Sequence, residues 1–145
     1  MFAECVRDMI VNDAAAIANL ATYEFTTGSP EPAVFTNDRV PSDGQRPAVE
    51  VEESGGDHWG TRNRPGLDAV VQVRVMGDKD FSQKALREIA IAVYDALHRG
   101  DIDTYSDGRG YEGIYCFAEP PSFIEDEDEF PGYLIALSIK VLKNS

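Results

Sequence analysis

The fold is decided by Gly66-Leu-Asp-Ala-Val-Val-Gln-Val-Arg-Val-Met-Gly77, followed almost at once by Phe81-Ser-Gln-Lys-Ala-Leu-Arg-Glu-Ile-Ala-Ile-Ala-Val-Tyr-Asp-Ala-Leu-His98. In the first segment every second residue from Leu67 to Val75 is apolar, which predicts a β-strand with one buried face. In the second segment apolar residues return every three to four positions, which predicts an amphipathic helix. Neither segment carries an obvious catalytic group, so the most regular part of the sequence is assigned to packing.

The limits of this helix can also be read from the sequence. Ser82 is a good N-cap, and Phe81 together with Leu86 matches a hydrophobic staple. Gly100 supplies the stop. A second helix with one apolar face is predicted over residues 2–11, and Asn12-Asp13 leaves open whether it then restarts or continues to about Leu20.

The remaining segments complete a small sheet. A short edge strand is predicted at 33–36, and further strands are predicted at 47–53, 111–118 and 133–142. Turn-rich connections are predicted at 26–32 and 41–44, a long loop or hairpin tip at 54–66, and long loops at 101–112 and 119–132. In the strand at 47–53, Val49 and Val51 face one way while Glu50 and Glu52 face the other. The sequence predicts an α+β fold in a single domain over 1–145: a small antiparallel or mixed β-sheet, two main helices packed on one face, and long β-hairpin loops.

Composition excludes several classes of function. The net charge is −13 and the 13 basic residues are scattered, which argues against binding of the chain to the phosphate backbone of nucleic acid. No apolar run approaches the roughly 20 residues that cross a bilayer, and the N-terminus lacks the order of a secretory signal, so no membrane partner is predicted and synthesis is expected in the cytoplasm. Cys5 and Cys116 are expected to be buried, reduced thiols.

One segment invites comparison with a calcium-binding loop. Asp101, Asp103, Asp107 and Glu112 fall at loop positions 1, 3, 7 and 12 of an EF-hand. However, the glycine required at position 6 is Ser106, and a strand rather than a helix is predicted to follow. A polar loop is the favoured interpretation, so no metal ligand is assigned.

Two other segments are candidates for contacts with partners. The first, around the only tryptophan, contributes His58, Trp59, Arg62 and Arg64, because aromatic and arginine side chains dominate protein interfaces. A tryptophan that merely covers the local core is the alternative. The second, the acidic run 125–129, contributes Asp126, Glu127 and Asp128. It is expected to be an extended, solvated loop tip held in the core by Phe123 and Phe130, and a basic partner is the alternative.

No phosphate-binding loop, dinucleotide-binding glycine motif, nucleophile elbow or His-Glu-x-x-His motif occurs. His58 also lacks an evident nucleophile and a paired carboxylate. The sequence therefore predicts no catalytic residues, no cofactor and no enzyme. A small metal-dependent enzyme using the acidic residues of 101–112 is kept as a weak alternative.

Read in order, these features resemble the phage tail terminator, or tail-completion, family, small neck proteins akin to the minor tail protein U of lambdoid phages. The resemblance covers nearly the whole chain. It rests on the N-terminal helix ending in Asn12-Asp-Ala-Ala-Ala-Ile-Ala-Asn-Leu20, the run Val34-Phe-Thr-Asn-Asp-Arg-Val-Pro41, the segment Arg46-Pro-Ala-Val-Glu-Val51, the strand Val70–Val75, the helix Ala85–Leu97 and a closing strand.

The resemblance implies a virion protein of the tail or neck, with no activity and no cofactor. Copies of such a protein form a ring, usually a hexamer, which caps the head-proximal end of the tail tube, stops its polymerisation and joins the tail to the head connector. DNA passes through the lumen without specific binding. The implied partners are further copies of the chain, the tail tube protein and the connector or stopper. A stopper or adaptor between portal and tail is the close alternative; a tail-tube protein and a cellular acidic adaptor are more distant ones.

Overall fold

The computed structural model describes residues 2–60 and 64–144. The helices are α1 (Phe2–Val11), α2 (Ala14–Ile17), α3 (Gln83–Leu97) and α4 (Ile102–Ser106), and a 3-10 turn over Asp107–Arg109 follows α4. The strands are β1 (Thr22–Thr26), β2 (Ser29–Pro32), β3 (Val34–Thr36), β4 (Ala48–Gly60), β5 (Pro65–Met76), β6 (Tyr111–Ala118), β7 (Ser122–Glu125) and β8 (Pro131–Lys143).

Six of these strands form one mixed sheet. Its order is β3-β4-β5-β8-β6, and β7 pairs with β8 further along the same side as β6. The short β3 is parallel to β4, and every other pair in this sheet is antiparallel. β1 and β2 form a separate two-stranded hairpin. Of the antiparallel or mixed sheet that the sequence predicts, the structure has the mixed form, because β3 is parallel to β4.

The helices cover one face of the sheet. The side chains of β5 and β8 on that face are fully or almost fully buried: Val71, Val73, Val75, Ile135, Leu137, Ile139 and Val141. α1 and α3 close over them with Val6, Ile10, Leu86, Ala90 and Val93. The alternate positions of the strands behave differently, since Val70 and Phe117 are each more than 40% exposed. The predicted α+β architecture is confirmed, and it leaves one face of the sheet without a helical layer.

Local sequence sets the helix ends. The Ser82 hydroxyl accepts a hydrogen bond from the Ala85 N–H at 3.3 Å, so the predicted N-cap of α3 is confirmed. The first helix does not continue to Leu20. The Asp13 carboxylate accepts a hydrogen bond from the Ala16 N–H at 3.0 Å and starts α2 as a separate helix. The predicted edge strand at 33–36 is confirmed as β3.

Two predicted connections turn out to contain strands. Within 26–32, β2 pairs with β1 across a turn in which Gly28 adopts a positive φ of 83°. The prolines are tolerated there because the hairpin has only two strands and needs few N–H donors. Within 54–66, β4 runs on to Gly60 and β5 begins at Pro65, with a bulge between Glu53 and Gly55. Pairing with β5 and β8, rather than local propensity, holds this segment extended.

The two later loop predictions are corrected in the same way. The segment 101–112 contains α4, which starts where the Asp101 carboxylate accepts from the Thr104 N–H at 3.2 Å. Ile102 fixes α4 to the main core and is 2% exposed. The segment 119–132 contains β7. Glu50 faces away from Val49 and Val51, as the alternation predicts, and lies on the face without helices. It is nevertheless only 5% exposed, because the chain around Val40 folds over it.

Cys5 and Cys116 are free, buried thiols, as the sequence predicts. Desolvation raises the pKa of the Cys116 thiol from 9.0 to about 12. Above pH 9 the unfolded chain therefore loses this proton while the folded chain keeps it, and stability falls as the pH rises towards 12.

We expect Cys116→Ala to remove this loss. Between pH 8.5 and 10.5 the free energy of unfolding of the original chain should fall by about 1–2 kcal/mol more than that of Cys116→Ala, since one pKa unit corresponds to about 1.4 kcal/mol. Urea unfolding at both pH values measures the difference. Parallel pH dependence of the two proteins would contradict the assignment.

Candidate assembly interfaces

The two outer edges of the sheet differ in how their backbone groups are used. On β6, the Gly113 N–H donates to Asp103 Oδ1 at 2.9 Å, the Ala118 N–H donates to His98 Nδ1 at 3.2 Å, and the Cys116 carbonyl accepts from the Arg99 N–H at 2.8 Å. These side-chain and loop contacts block the addition of a further strand at that edge.

The edge formed by β4 is open over most of its length. β3 covers β4 only at Val49–Val51, and within the described chain no strand pairs with the outer side of β4 from Ser54 to Gly60. Side chains over 52–58 are exposed. An unpaired edge of this length is a template on which another chain can align.

The hairpin end, residues 57–60 and 64–67, holds Trp59 and Arg64 against the sheet. The Trp59 indole N–H donates to the Val141 carbonyl at 3.1 Å, and its ring lies over Gly66, where an added Cβ would come within 2.6 Å of the ring. Arg64 pairs with Glu112 at 2.7 Å and donates from Nε to the Lys143 carbonyl at 3.1 Å. Both predicted residues are therefore brought together beside the C-terminal part of β8.

The other two candidates from this segment do not join them. His58 is exposed, and because successive residues of a strand point to opposite faces, it lies on the other face of the hairpin from Trp59. Arg62 lies outside the described residues.

The acidic turn, residues 125–129, is compact rather than extended. Asp126 Oδ1 accepts hydrogen bonds from the Asp128 and Phe130 N–H groups, both at 2.9 Å, and the Asp126 N–H donates to the Phe130 carbonyl. Local hydrogen bonds to one carboxylate therefore outweigh repulsion among the five acids. The expectation of an extended tip is wrong, and so is the placement of Phe123 in the core, since Phe123 is 45% exposed.

Replacing Asp126 should open this turn. We expect Asp126→Ala to lower the free energy of unfolding by about 1–2 kcal/mol, because two backbone N–H groups lose their acceptor. Asp128→Ala is the matched control, since its carboxylate closes no such bond among the described residues and its loss should cost less than about 0.5 kcal/mol. Urea titration measures the free energy of unfolding of both variants. Equal losses of stability would contradict the role assigned to Asp126.

A row of aromatic and basic side chains crosses the sheet face that the helices leave open. The Lys140 ammonium lies 4.1 Å from the Trp59 ring centroid and 6.0 Å from that of Tyr115. Tyr115 and Phe117 are 5.2 Å apart, and the Arg99 guanidinium lies 5.8 Å from the Phe117 ring. We call Trp59, Lys140, Tyr115, Phe117 and Arg99 the aromatic row. No described carboxylate forms an ion pair with Lys140 or Arg99.

The sequence predicts only Trp59 of this row. The other four residues lie on three segments, and nothing in the spacing of those segments brings them together. The alternation of β6 carried a partial signal, since Tyr115 and Phe117 share the face opposite Cys116 and Ala118. Register with β8 then places Lys140 directly opposite Tyr115.

A cleft on the same sheet face was also missed. Its floor is Glu50, Arg74 and Leu134, and its two walls are Arg39 with Arg46 and the acidic turn. Glu50 Oε2 accepts from the Val40 N–H at 2.9 Å, and its Oε1 lies 3.5 Å from Arg39. Arg46 stacks on Phe130, 3.9 Å from the ring centroid. These contacts fix the loop around Val40 and the base of the acidic turn in place.

The four carboxylates that match positions of a calcium-binding loop each interact with a different local partner. Asp101 caps α4, and hydrogen bonds from Thr104 lower its pKa. The Asp103 carboxylate accepts a hydrogen bond from the Gly113 N–H, and the Asp107 carboxylate accepts one from the Asn144 side-chain amide. Glu112 forms an ion pair with Arg64. Within the described residues no cluster of three or more His, Cys, Asp or Glu side chains could hold a metal ion.

Residues 10–109, more than two thirds of the chain, match the family model described as tail completion protein gp17. The chain belongs to this tail completion family. It is accordingly a structural protein of a virion tail, and the resemblance read from its sequence is confirmed. No curated protein matches the chain.

The fold of this tail completion protein also has a relative among solved structures. One chain from a structure described as "Virion of native gene transfer agent (GTA) particle" superimposes with a TM-score of 0.60. The match covers 94% of the present chain and 91% of the other, at 17% sequence identity. At this identity the likeness concerns the fold alone. In the described part of the tail completion protein, no helix combines the length and apolar character needed to span a bilayer.

Proposed function

We propose that this tail completion protein is a tail terminator: its copies form a ring, a hexamer by the resemblance, on the head-proximal end of the tail tube. The ring ends polymerisation of the tube and joins the tail to the head connector. The observation that carries the proposal is membership of a tail completion family combined with a sheet that has one open edge and one open face.

The edges of the sheet support a ring that does not keep growing. A blocked β6 edge and an open β4 edge make the two sides of one molecule different, so contact between copies is directional. Directional contacts close into rings when the rotation between copies allows it. A terminator must in addition present its two ring faces differently, one complementary to the last tube ring and one unable to extend it.

The charge of the chain supports passage of DNA without binding. With a net charge of −13, a ring of several copies carries a strongly negative surface, which repels a phosphate backbone. In this proposal DNA crosses the lumen in contact with water and does not adhere to the protein.

Electron microscopy of particles made without this protein tests the proposal. Loss of a terminator should give overlong tails that lack heads, because nothing ends tube growth. Tails of normal length beside heads that leak DNA would instead identify a stopper or adaptor. Normal particles would contradict any role in completing the tail. A plasmid copy of the unaltered chain should restore normal particles and serves as the control.

A further inference from the structure

We propose that the acidic turn of one copy docks on the aromatic row of the next copy, and that this contact joins neighbouring subunits. The inference rests on the proposed ring and adds which two surfaces meet. It starts from two patches of opposite charge that lie at different ends of one strand, and neither patch forms an ion pair with a described residue of its own subunit.

The acidic turn forms no ion pair within the described part of its own subunit. No described cation forms an ion pair with Glu125, Glu127 or Asp128, although the arginine wall of the cleft stands opposite. Exposed Phe123 lies two residues before the turn. The turn is held in one shape by Asp126, so it loses little conformational freedom on docking.

The aromatic row offers the complementary surface. Lys140 and Arg99 lie beside aromatic rings and form no ion pair with a described carboxylate, although Asp68 is the cross-strand neighbour of Lys140. Phe117 is 45% exposed. Aromatic side chains next to basic ones are the groups that contribute most at protein interfaces. In a chain with twice as many acidic as basic residues, a positive and apolar surface of this kind favours an acidic and apolar partner.

The two surfaces cannot meet within one subunit. The acidic turn ends two residues before Pro131, where β8 begins, whereas Lys140 lies near the end of β8. At about 3.3 Å per residue the two are roughly 30 Å apart. Their contact must therefore join different copies, and because the surfaces are not the same patch, it is a head-to-tail contact of the kind that generates rings.

Charge reversal on one side, followed by reversal on both, tests the pairing. The turn-reversed chain carries Glu127→Lys with Asp128→Lys, which spares Asp126; the row-reversed chain carries Lys140→Glu with Arg99→Glu; the swapped chain carries all four. Controls with the same charge change on exposed positions of α3 are Glu88→Lys with Asp95→Lys, and Lys84→Glu with Arg87→Glu.

Each chain is supplied to cells that produce particles without their own copy, and its amount per purified particle is measured by quantitative mass spectrometry. We expect the amount of each reversed chain per particle to be about tenfold or more lower than that of the unaltered chain. The swapped chain should recover most of this loss. The controls should match the unaltered chain. Circular dichroism of every variant checks that the fold is retained.

The outcomes separate the inference from the function on which it rests. Reversed chains that enter particles as well as the unaltered chain would overturn the pairing while the terminator proposal stands. A swapped chain no better than the reversed ones would also overturn it, and would point to the tube or the connector as the partner of the aromatic row. An unaltered chain absent from particles would overturn the proposed function and the inference with it.

Discussion

Trp59→Ala is expected to leave a folded chain that enters particles poorly. The Trp59 ring covers Gly66, donates to the Val141 carbonyl and supports Lys140, so it fixes the hairpin end and one end of the aromatic row. Because the side chain is half-buried, its truncation should lower the free energy of unfolding by about 1–3 kcal/mol, less than for a fully buried aromatic residue. Particle incorporation should fall about tenfold or more.

Two matched variants separate these effects. Trp59→Phe keeps an aromatic ring at this position but removes the indole N–H and part of the ring area, so incorporation should lie between that of Trp59→Ala and that of the unaltered chain. His58→Ala removes an exposed side chain from the opposite face of the same strand and should have little effect on either measurement. Urea unfolding gives stability, and mass spectrometry of purified particles gives incorporation. Normal incorporation of Trp59→Ala would show that the ring serves only its own subunit.

Leu86→Ala is expected to be the most destabilising of the substitutions considered. Leu86 is fully buried between α3 and the sheet, and deleting its side chain leaves a cavity as well as losing apolar burial. The loss should be about 2–5 kcal/mol. The free energy of unfolding of a domain of this size is about 5–15 kcal/mol, so this loss is a large fraction of the total stability.

The same helix provides the control for this prediction. Ile91 is 39% exposed on the outer side of α3, so Ile91→Ala should change the free energy of unfolding by no more than about 0.5 kcal/mol. Urea titration followed by far-ultraviolet circular dichroism measures both variants. Equal losses would mean that α3 is not packed on the sheet through the face assigned to it.

Both predictions depend on how side chains pack on the sheet, and the sequence predicts only part of this packing. Period-two alternation in β5 and β8 and the apolar stripe of α3 fix which side chains are buried, because each pattern matches one backbone geometry. Ser82 and Asp13 start their helices as local chemistry requires. The α+β class, the two main helices and the family resemblance could therefore be read directly.

Local signals failed where pairing partners determine the conformation. The glycine- and acid-bearing part of β4 has poor strand propensity, yet it is extended because β5 pairs with it and is in turn held by β8. α4 was missed because five residues are too few for a clear helical period, and contact with the core stabilises it.

The buried face of the sheet and the helix that covers it follow from the sequence, because alternation and helical period are properties of neighbouring residues, and the excess of negative charge follows from composition. Other features appear only in the folded chain: Trp59 and Lys140, 81 positions apart, share one row, Asp126 closes the acidic turn, and the β6 edge is blocked while the β4 edge is open. Those features depend on strand order and register, which bring together residues from distant segments that no local pattern links.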